Sequence, residues 1–296
     1  MNDFWIILTA ALVAINASVL GVFLVLRKLS MVGDAISHAV LPGIVIAYYF
    51  SGDRTSPFLL LAAAVTGVIT ALIIDWLSKK AKVQGDASIG ITYTMLFALG
   101  MIMLSSWFQG NVDIDLDCVL YGDIALINLD KVIVDQNLYI GPLAFHIEAG
   151  ASLIVFTTLF IGFKGFKLLS FNEDFGLSIG VNMQKWHIVL MVLVSVVTVA
   201  SFEVVGAILV VGFLIIPAAT AQLFCKQLKS MLFWAAFLAV LAVLLGYAWA
   251  IFLNVSIAGA MVTVSGFMFF LLFLVQLLVK GRKKQEGDSL SSTQQV

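Results

Sequence analysis

The chain has 296 residues, of which 62% are hydrophobic and only 11% are charged, and its formal net charge is −1. A soluble domain carries about 25% charged residues, so this composition excludes a water-soluble globular protein and indicates one that crosses a membrane several times. The net charge gives no information about partners, because in a membrane protein the distribution of charges matters more than their sum.

The hydrophobic segments predict eight to nine membrane-spanning helices. A span needs roughly 20 mostly apolar residues. Nine segments qualify or nearly qualify: 4–26, 32–51, 57–77, 88–108, 149–170, 186–204, 206–224, 231–253 and 257–279. The sixth and seventh meet near Val205 and Gly206, either in a tight hairpin or as one broken helix. Because backbone polar groups in lipid must be satisfied internally, we predict an all-α, polytopic membrane helical bundle.

The basic residues predict how this bundle is oriented. Fourteen of the 16 Lys and Arg residues fall on one side of the membrane if the N-terminus is outside, and only Arg54 and Lys131 fall on the other. The positive-inside rule makes the basic side cytoplasmic. We therefore expect the N-terminus outside and the C-terminus in the cytoplasm. Residues 1–284 are predicted to form a single transmembrane domain, and the polar segment 285–296 a disordered tail.

The longest loop, about 109–148, is then external and acidic. Its charged residues are Asp113, Asp115, Asp117, Asp123, Asp130, Asp135 and Glu148, with Lys131 as the basic exception. An acidic mouth would raise the local concentration of cations. Carboxylates also contribute little to topology, so the loop can be acidic without any function. Both interpretations stay open.

The segment "SMVGDAISHAVLPG", residues 30–43, places two ionisable side chains inside the second span. Asp34 and His38 are four residues apart and share one helix face. Pro42 follows four residues later; because it has no N–H, it frees the carbonyl of His38 and bends the helix. Gly43 allows a neighbouring helix to approach. An ionisable residue in a span is by default a functional candidate.

Three interpretations of this pair remain open. A carboxylate and an imidazole form a ligand set for a divalent metal such as zinc, iron or manganese. A proton relay uses the same side chains. A structural hydrogen bond between Asp34 and His38 would involve neither. Glu203, at the external end of the sixth span, and Pro42 are further candidates for the pathway, although Glu203 can simply face water.

A short cytoplasmic helix is predicted between the fifth and sixth spans, in "SFNEDFGLSIGVNMQ", residues 170–184. Asn172 can cap it, and Glu173 and Asp174 fall in the first turn, where the helix dipole favours acids. Apolar residues from Phe175 onward follow, and Gly180 is a good stop. The helix either lies on the lipid surface or docks into a cleft on another protein.

Motifs for nucleotide and protease chemistry are missing. The sequence has no G-x-x-x-x-G-K-[ST] phosphate loop and no H-E-x-x-H helix. We therefore expect no enzymatic activity in this chain, no permanently bound cofactor and no nucleic-acid partner, and any ATP must be handled by a different chain.

Several segments resemble the permease subunits of bacterial ABC importers for zinc, manganese and ferrous iron. They are "GDAISHAVLPG" (33–43), "SIGITYTMLFALGM" (88–101), "DCVLYGDI" (117–124), "FNEDFGLSIGV" (171–181) and "VGAILVVGFLIIPAATA" (205–221). The resemblance covers nearly the whole chain. It implies a location in the bacterial cytoplasmic (inner) membrane and a transported divalent metal.

The resemblance also implies roles and partners. Two permeases, identical or homologous, form the pathway, two ATP-binding subunits sit beneath them, and an extracytoplasmic metal-binding protein delivers the ion. The metal ligands of the family match Asp34 and His38. Its coupling helix matches 171–181, which here contains Asn172, Glu173, Asp174, Phe175, Gly176, Leu177 and Gly180. The alternative function is a proton-coupled secondary metal transporter that uses Asp34 and His38 as its relay.

Overall fold

The structure is a computed structural model that describes residues 2–52, 57–107, 124, 127, 131–134 and 138–293. Its elements are α1 (Asn2–Leu26), α2 (Val32–Ala39), α3 (Leu41–Ser51), α4 (Pro57–Lys79), α5 (Gly85–Trp107), β1 (Lys131–Val134), β2 (Leu138–Pro142), α6 (Leu143–Phe171), α7 (Glu173–Ser178), α8 (Met183–Val205), α9 (Ala207–Phe224), α10 (Leu228–Leu253) and α11 (Ile257–Thr293). Within these ranges the protein is an all-α bundle with one short β-hairpin.

The described helices include nine that are long and apolar enough to cross a membrane, in the order the sequence predicts. The count is nine rather than eight because α8 and α9 are separate helices. Gly206 alone lies between them, with φ of 79° and ψ of 163°. This conformation lies in the left-handed half of the φ range, which glycine adopts without steric cost, so the helix ends there and a new one begins in a different direction.

The fifth span differs from its prediction. It was expected over 149–170, after an external loop, but α6 begins at Leu143 and runs for 29 residues. His146 and Glu148 therefore belong to a helix. The hairpin of β1 and β2, in which Lys131 pairs with Pro142, leads directly into α6. The acidic residues Asp113, Asp115, Asp117, Asp123, Asp130 and Asp135 lie outside the described residues.

Helix α1 is the centre of the bundle. It packs against α6, α8, α9 and α10, and its side chains from Val13 to Leu24 are almost all fully buried. Gly21 is in contact with the backbone of Leu214 in α9, because an added Cβ would overlap that carbonyl oxygen. Phe23 packs against Phe166 of α6, with ring centroids 5.5 Å apart. A small residue thus lets two backbones touch, and large rings fill the adjacent space.

The two ends of the bundle differ: one carries charged contacts and the other an aromatic contact. The sequence predicts that successive spans run in opposite directions, which places their basic residues at one end. At one end, called the basic end here, Arg27, Lys79, Glu173 and His187 come together. At the opposite end, Trp5 lies against Phe145, with centroids 5.2 Å apart. The side of the membrane that each end faces stays a prediction. So does the division into residues 1–284 and a tail 285–296, although the backbone of α11 is helical through Thr293.

Candidate metal site and its surroundings

Asp34 and His38 both lie on α2, in its first and last turns. The span that carries them is divided at Val40, where α2 ends and α3 begins. Pro42 is buried in the first turn of α3 and cannot donate the hydrogen bond that would continue one regular helix. The helix is thus interrupted next to Pro42, between α2 and α3, and the bend itself stays a prediction.

The two side chains face each other at a distance that suits a shared ligand. His38 Nε2 lies 3.7 Å from Asp34 Oδ1, which is too long for a direct hydrogen bond. Two ligand atoms that each lie about 2.1 Å from one metal ion in tetrahedral geometry are about 3.4 Å apart. The side chain of His38 is 39% exposed and that of Asp34 is 43% exposed, so both remain accessible from outside this chain.

The surroundings of the pair are aromatic and close-packed. Tyr93 and Phe97 of α5 flank the imidazole, each with its ring centroid 6.2 Å from that of His38. Gly43 contacts Thr66 of α4, because an added Cβ would overlap the hydroxyl oxygen. The expectation that a neighbouring helix approaches at Gly43 is thus correct, and the neighbour is α4.

The pair has no third charged ligand in the part of the chain that the structure describes. No group of three or more His, Cys, Asp or Glu side chains occurs there. Glu203, the other candidate for the pathway, lies three residues before the junction at Gly206, in the last turn of α8. Its side chain is outside the description, so its role stays a prediction.

The predicted cytoplasmic helix is present as α7, shorter than the 171–181 segment. Asn172 caps it by accepting a hydrogen bond from the backbone N–H of Phe175 at 2.9 Å, and Gly180 ends it with φ of 81°. Phe175, Leu177 and Ile179 are more than half exposed. We call these three exposed apolar side chains the α7 surface.

A charged contact that the sequence did not indicate links α7 to the bundle, next to a second group of charges. Arg27 Nη2 lies 3.4 Å from Glu173 Oε2. Burial lowers the pKa of the Arg27 guanidinium, and the negative charges of Glu173 and Asp75 oppose that shift. Asp75 in turn lies 2.9 Å from Lys79 Nζ and 2.8 Å from His187 Nε2. His187, which has no partner near it in sequence, therefore has one in the fold.

A cavity of about 140 Å³ joins these charges to the helix that carries the candidate metal site. Arg27, Asp75 and His187 line it, together with Val32 from the first turn of α2. Val32 is two residues from Asp34 in sequence. Arg27, which pairs with Glu173 of α7, and the start of α2 therefore border the same cavity at the basic end.

Glu148 does not belong to the predicted external loop. It is fully buried in α6, and its Oε2 accepts a hydrogen bond from Asn16 Nδ2 at 3.3 Å. Asn16 Nδ2 also donates to Ser152 Oγ at 2.8 Å. The prediction for Glu148 was wrong because its partner lies 132 positions away, where no local pattern reveals it.

Known proteins resemble this chain over most of its length. Residues 3–276 match the ABC 3 transport family. Manganese transport system membrane protein MntD of Bacillus subtilis (strain 168) is 40% identical over 270 residues, which cover 91% of this chain and 90% of that protein. Zinc transport system membrane protein TroD of Treponema pallidum (strain Nichols) is 35% identical over 269 residues, which cover 91% of this chain and 72% of that protein.

A solved structure has the same fold. The structure titled "PsaBC from Streptococcus pneumoniae in complex with Fab" contains a chain that is 32% identical to this one, with a TM-score of 0.72. The superposition covers 91% of this chain and 90% of that chain.

Proposed function

Because this chain belongs to the ABC 3 transport family, whose members similar to it are named as manganese and zinc transport membrane proteins, we propose that it is the permease through which manganese enters the cell. The observation that carries this proposal is the pair of Asp34 and His38, whose facing atoms are 3.7 Å apart. A mixed carboxylate and imidazole set accepts manganese and also zinc. The 40% identity to a protein named for manganese favours that metal.

The remaining ligands come from a second permease subunit, identical or homologous, and from water. Asp34 and His38 are partly exposed, and no third acidic, His or Cys side chain joins them among the described residues. On the neighbouring α5, Ile91, Met95 and Ile102 are more than half exposed. This apolar face, next to a half-open ligand pair, suits a protein neighbour that would complete the coordination.

The energy for transport comes from ATP-binding subunits that dock on the α7 surface. Phe175, Leu177 and Ile179 give that surface its apolar character. The contact between Arg27 and Glu173 anchors α7, and an anchored short helix transmits force better than a loose one. An extracytoplasmic metal-binding protein delivers the ion at the opposite end. In this arrangement the chain itself performs no hydrolysis.

The alternative function, a proton-coupled carrier that works alone, makes a different prediction for one experiment. Uptake of labelled manganese is measured in cells that express this chain together with its ATP-binding subunit, in its active form or with its ATP site inactivated. We expect uptake only with the active subunit. Equal uptake in both cases, together with loss of uptake when the proton gradient is abolished, would favour the carrier.

A further inference from the structure

The carboxyl group of Glu148 is an ionisable group for which the transport path gives no role. The side chain is fully buried in α6, between α1 and α8. Asn16 of α1 donates to Oε2, and the hydroxyl of Ser201 of α8 faces the same carboxyl. Asn16 and Ser201 are also fully buried. The group therefore sits where three helices meet, and water does not reach it while they are packed.

Among the described side chains, no positive charge compensates this carboxyl. No Lys, Arg or His in the part of the chain that the structure describes forms an ion pair with Glu148. His146, on the same helix, is exposed, and its Nδ1 lies 3.1 Å from the carbonyl oxygen of Pro142. Asn16 and Ser201 are neutral. An ionised carboxylate without a cation is very unfavourable in an apolar interior, so such a group takes up a proton instead.

The two polar neighbours of Glu148 can also serve a neutral acid. Among the described side chains, Oε1 of Glu148 and the hydroxyl oxygen of Ser201 have no hydrogen-bond partner. A proton on Oε1 would turn that atom into a donor toward Ser201, while Oε2 would keep accepting from Asn16. Both buried oxygens would then be used, as buried polar groups generally are.

We propose that Glu148 is a proton-binding site that is occupied while α1, α6 and α8 are packed together. Any conformation that admits water between these helices releases the proton, because a hydrated glutamate is ionised at neutral pH. The packed conformation therefore holds one proton more than the opened one. By linkage, a lower pH favours the packed conformation. The proton is not cargo, and the proposal does not depend on the identity of the transported metal.

Infrared spectroscopy of the full-length permease in a detergent that has no carbonyl group tests this directly, because phospholipid esters absorb in the same region as a carboxylic acid. A protonated carboxylic acid has a C=O stretching band that a carboxylate lacks. We expect this band near neutral pH in the wild type, and we expect its loss in Glu148→Gln. The matched control is Asp86→Asn, which removes an exposed carboxyl in the first turn of α5 and should keep the band. If the wild type lacks the carboxylic acid band, or if the band remains in Glu148→Gln, the proposal is wrong.

Thermal unfolding gives a second, independent measurement. The packed state binds the proton and the unfolded state does not, so the wild-type Tm should fall as the pH rises from about 5 to about 8. Glu148→Gln keeps one donor and one acceptor without a charge. It should fold, match the wild type at the acidic end and lack this component of the pH dependence.

Two results of the same experiment would contradict the proposal. One is an unchanged pH dependence in Glu148→Gln. The other is a rise in the wild-type Tm when choline chloride is replaced by sodium chloride, absent from Glu148→Gln, which would identify the occupant as a metal cation rather than a proton.

Discussion

Arg27, which follows the last residue of α1, places Nη2 3.4 Å from Oε2 of Glu173, in the first turn of α7. The contact joins residues 146 positions apart. It connects the central helix of the bundle to the short helix that is proposed to meet the ATP-binding subunit.

Removing this contact should impair coupling more than folding. Glu173→Gln keeps the shape of the side chain but loses its charge. Since Glu173 is 40% exposed, the loss in folding free energy should stay near 1 kcal/mol. Metal uptake per permease molecule should fall several-fold. Asp174→Asn removes an adjacent exposed carboxylate and is the matched control. Equal effects of the two variants on uptake would argue against a role for the ion pair.

The α7 surface should control association with the ATP-binding subunit. Leu177→Asp puts a charge into the proposed apolar contact and should weaken co-purification of that subunit by about tenfold or more. Ser178→Asp adds the same charge at the next residue and should have a much smaller effect. Gly176 is unsuitable for this test, because any side chain there would overlap Met183. Wild-type co-purification with Leu177→Asp would instead support a helix that lies on lipid.

The metal-site proposal predicts a loss of uptake without a loss of protein. His38→Ala and Asp34→Asn should each lower manganese uptake by about tenfold or more, measured per permease molecule in the membrane. Ser37→Ala, on the same helix, removes a hydroxyl that donates to the carbonyl oxygen of Gly33 and should keep uptake near the wild type. His38→Cys should favour zinc over manganese, because thiolate is the softer ligand. If both pair variants transport normally per molecule, Asp34 and His38 are not ligands.

The contact between α1 and α9 predicts a large effect from a small change. Gly21→Ala would drive a methyl group into the carbonyl of Leu214. Backbone cannot rotate away, so the two helices must separate, at a cost of about 1–3 kcal/mol. Gly90→Ala, in α5, meets no atom within 4 Å and should be neutral or slightly stabilising. Thermal unfolding of both variants in one detergent provides the comparison.

The predicted orientation can be tested with tags. An epitope at residue 1 should be accessible from outside intact cells, and an epitope at residue 296 only after the membrane is permeabilised. This expectation comes from the distribution of the 16 basic residues. Accessibility of both tags from the same side would mean that the number of spans is even.

The sequence predicted the elements that depend on neighbouring residues. Hydrophobic length gave the spans, and the cap at Asn172 and the stop at Gly180 follow from local rules. The contacts of Glu148 with Asn16, and of Arg27 with Glu173, join residues more than 130 positions apart. A buried Glu looks the same in sequence as an exposed one, so the first turns of α6 were wrongly predicted to belong to a loop.

The continuity of α6 has a consequence for how the two ends of the protein communicate. This helix of 29 residues begins directly after the hairpin and ends one residue before α7, so it spans about 43 Å without interruption. If partners dock at both ends as proposed, such a rod would transmit a tilt or a shift from one to the other. Thermodynamic reciprocity then applies: if a partner at the hairpin end tightens binding at α7 by some factor, a partner at α7 tightens binding at the hairpin end by the same factor.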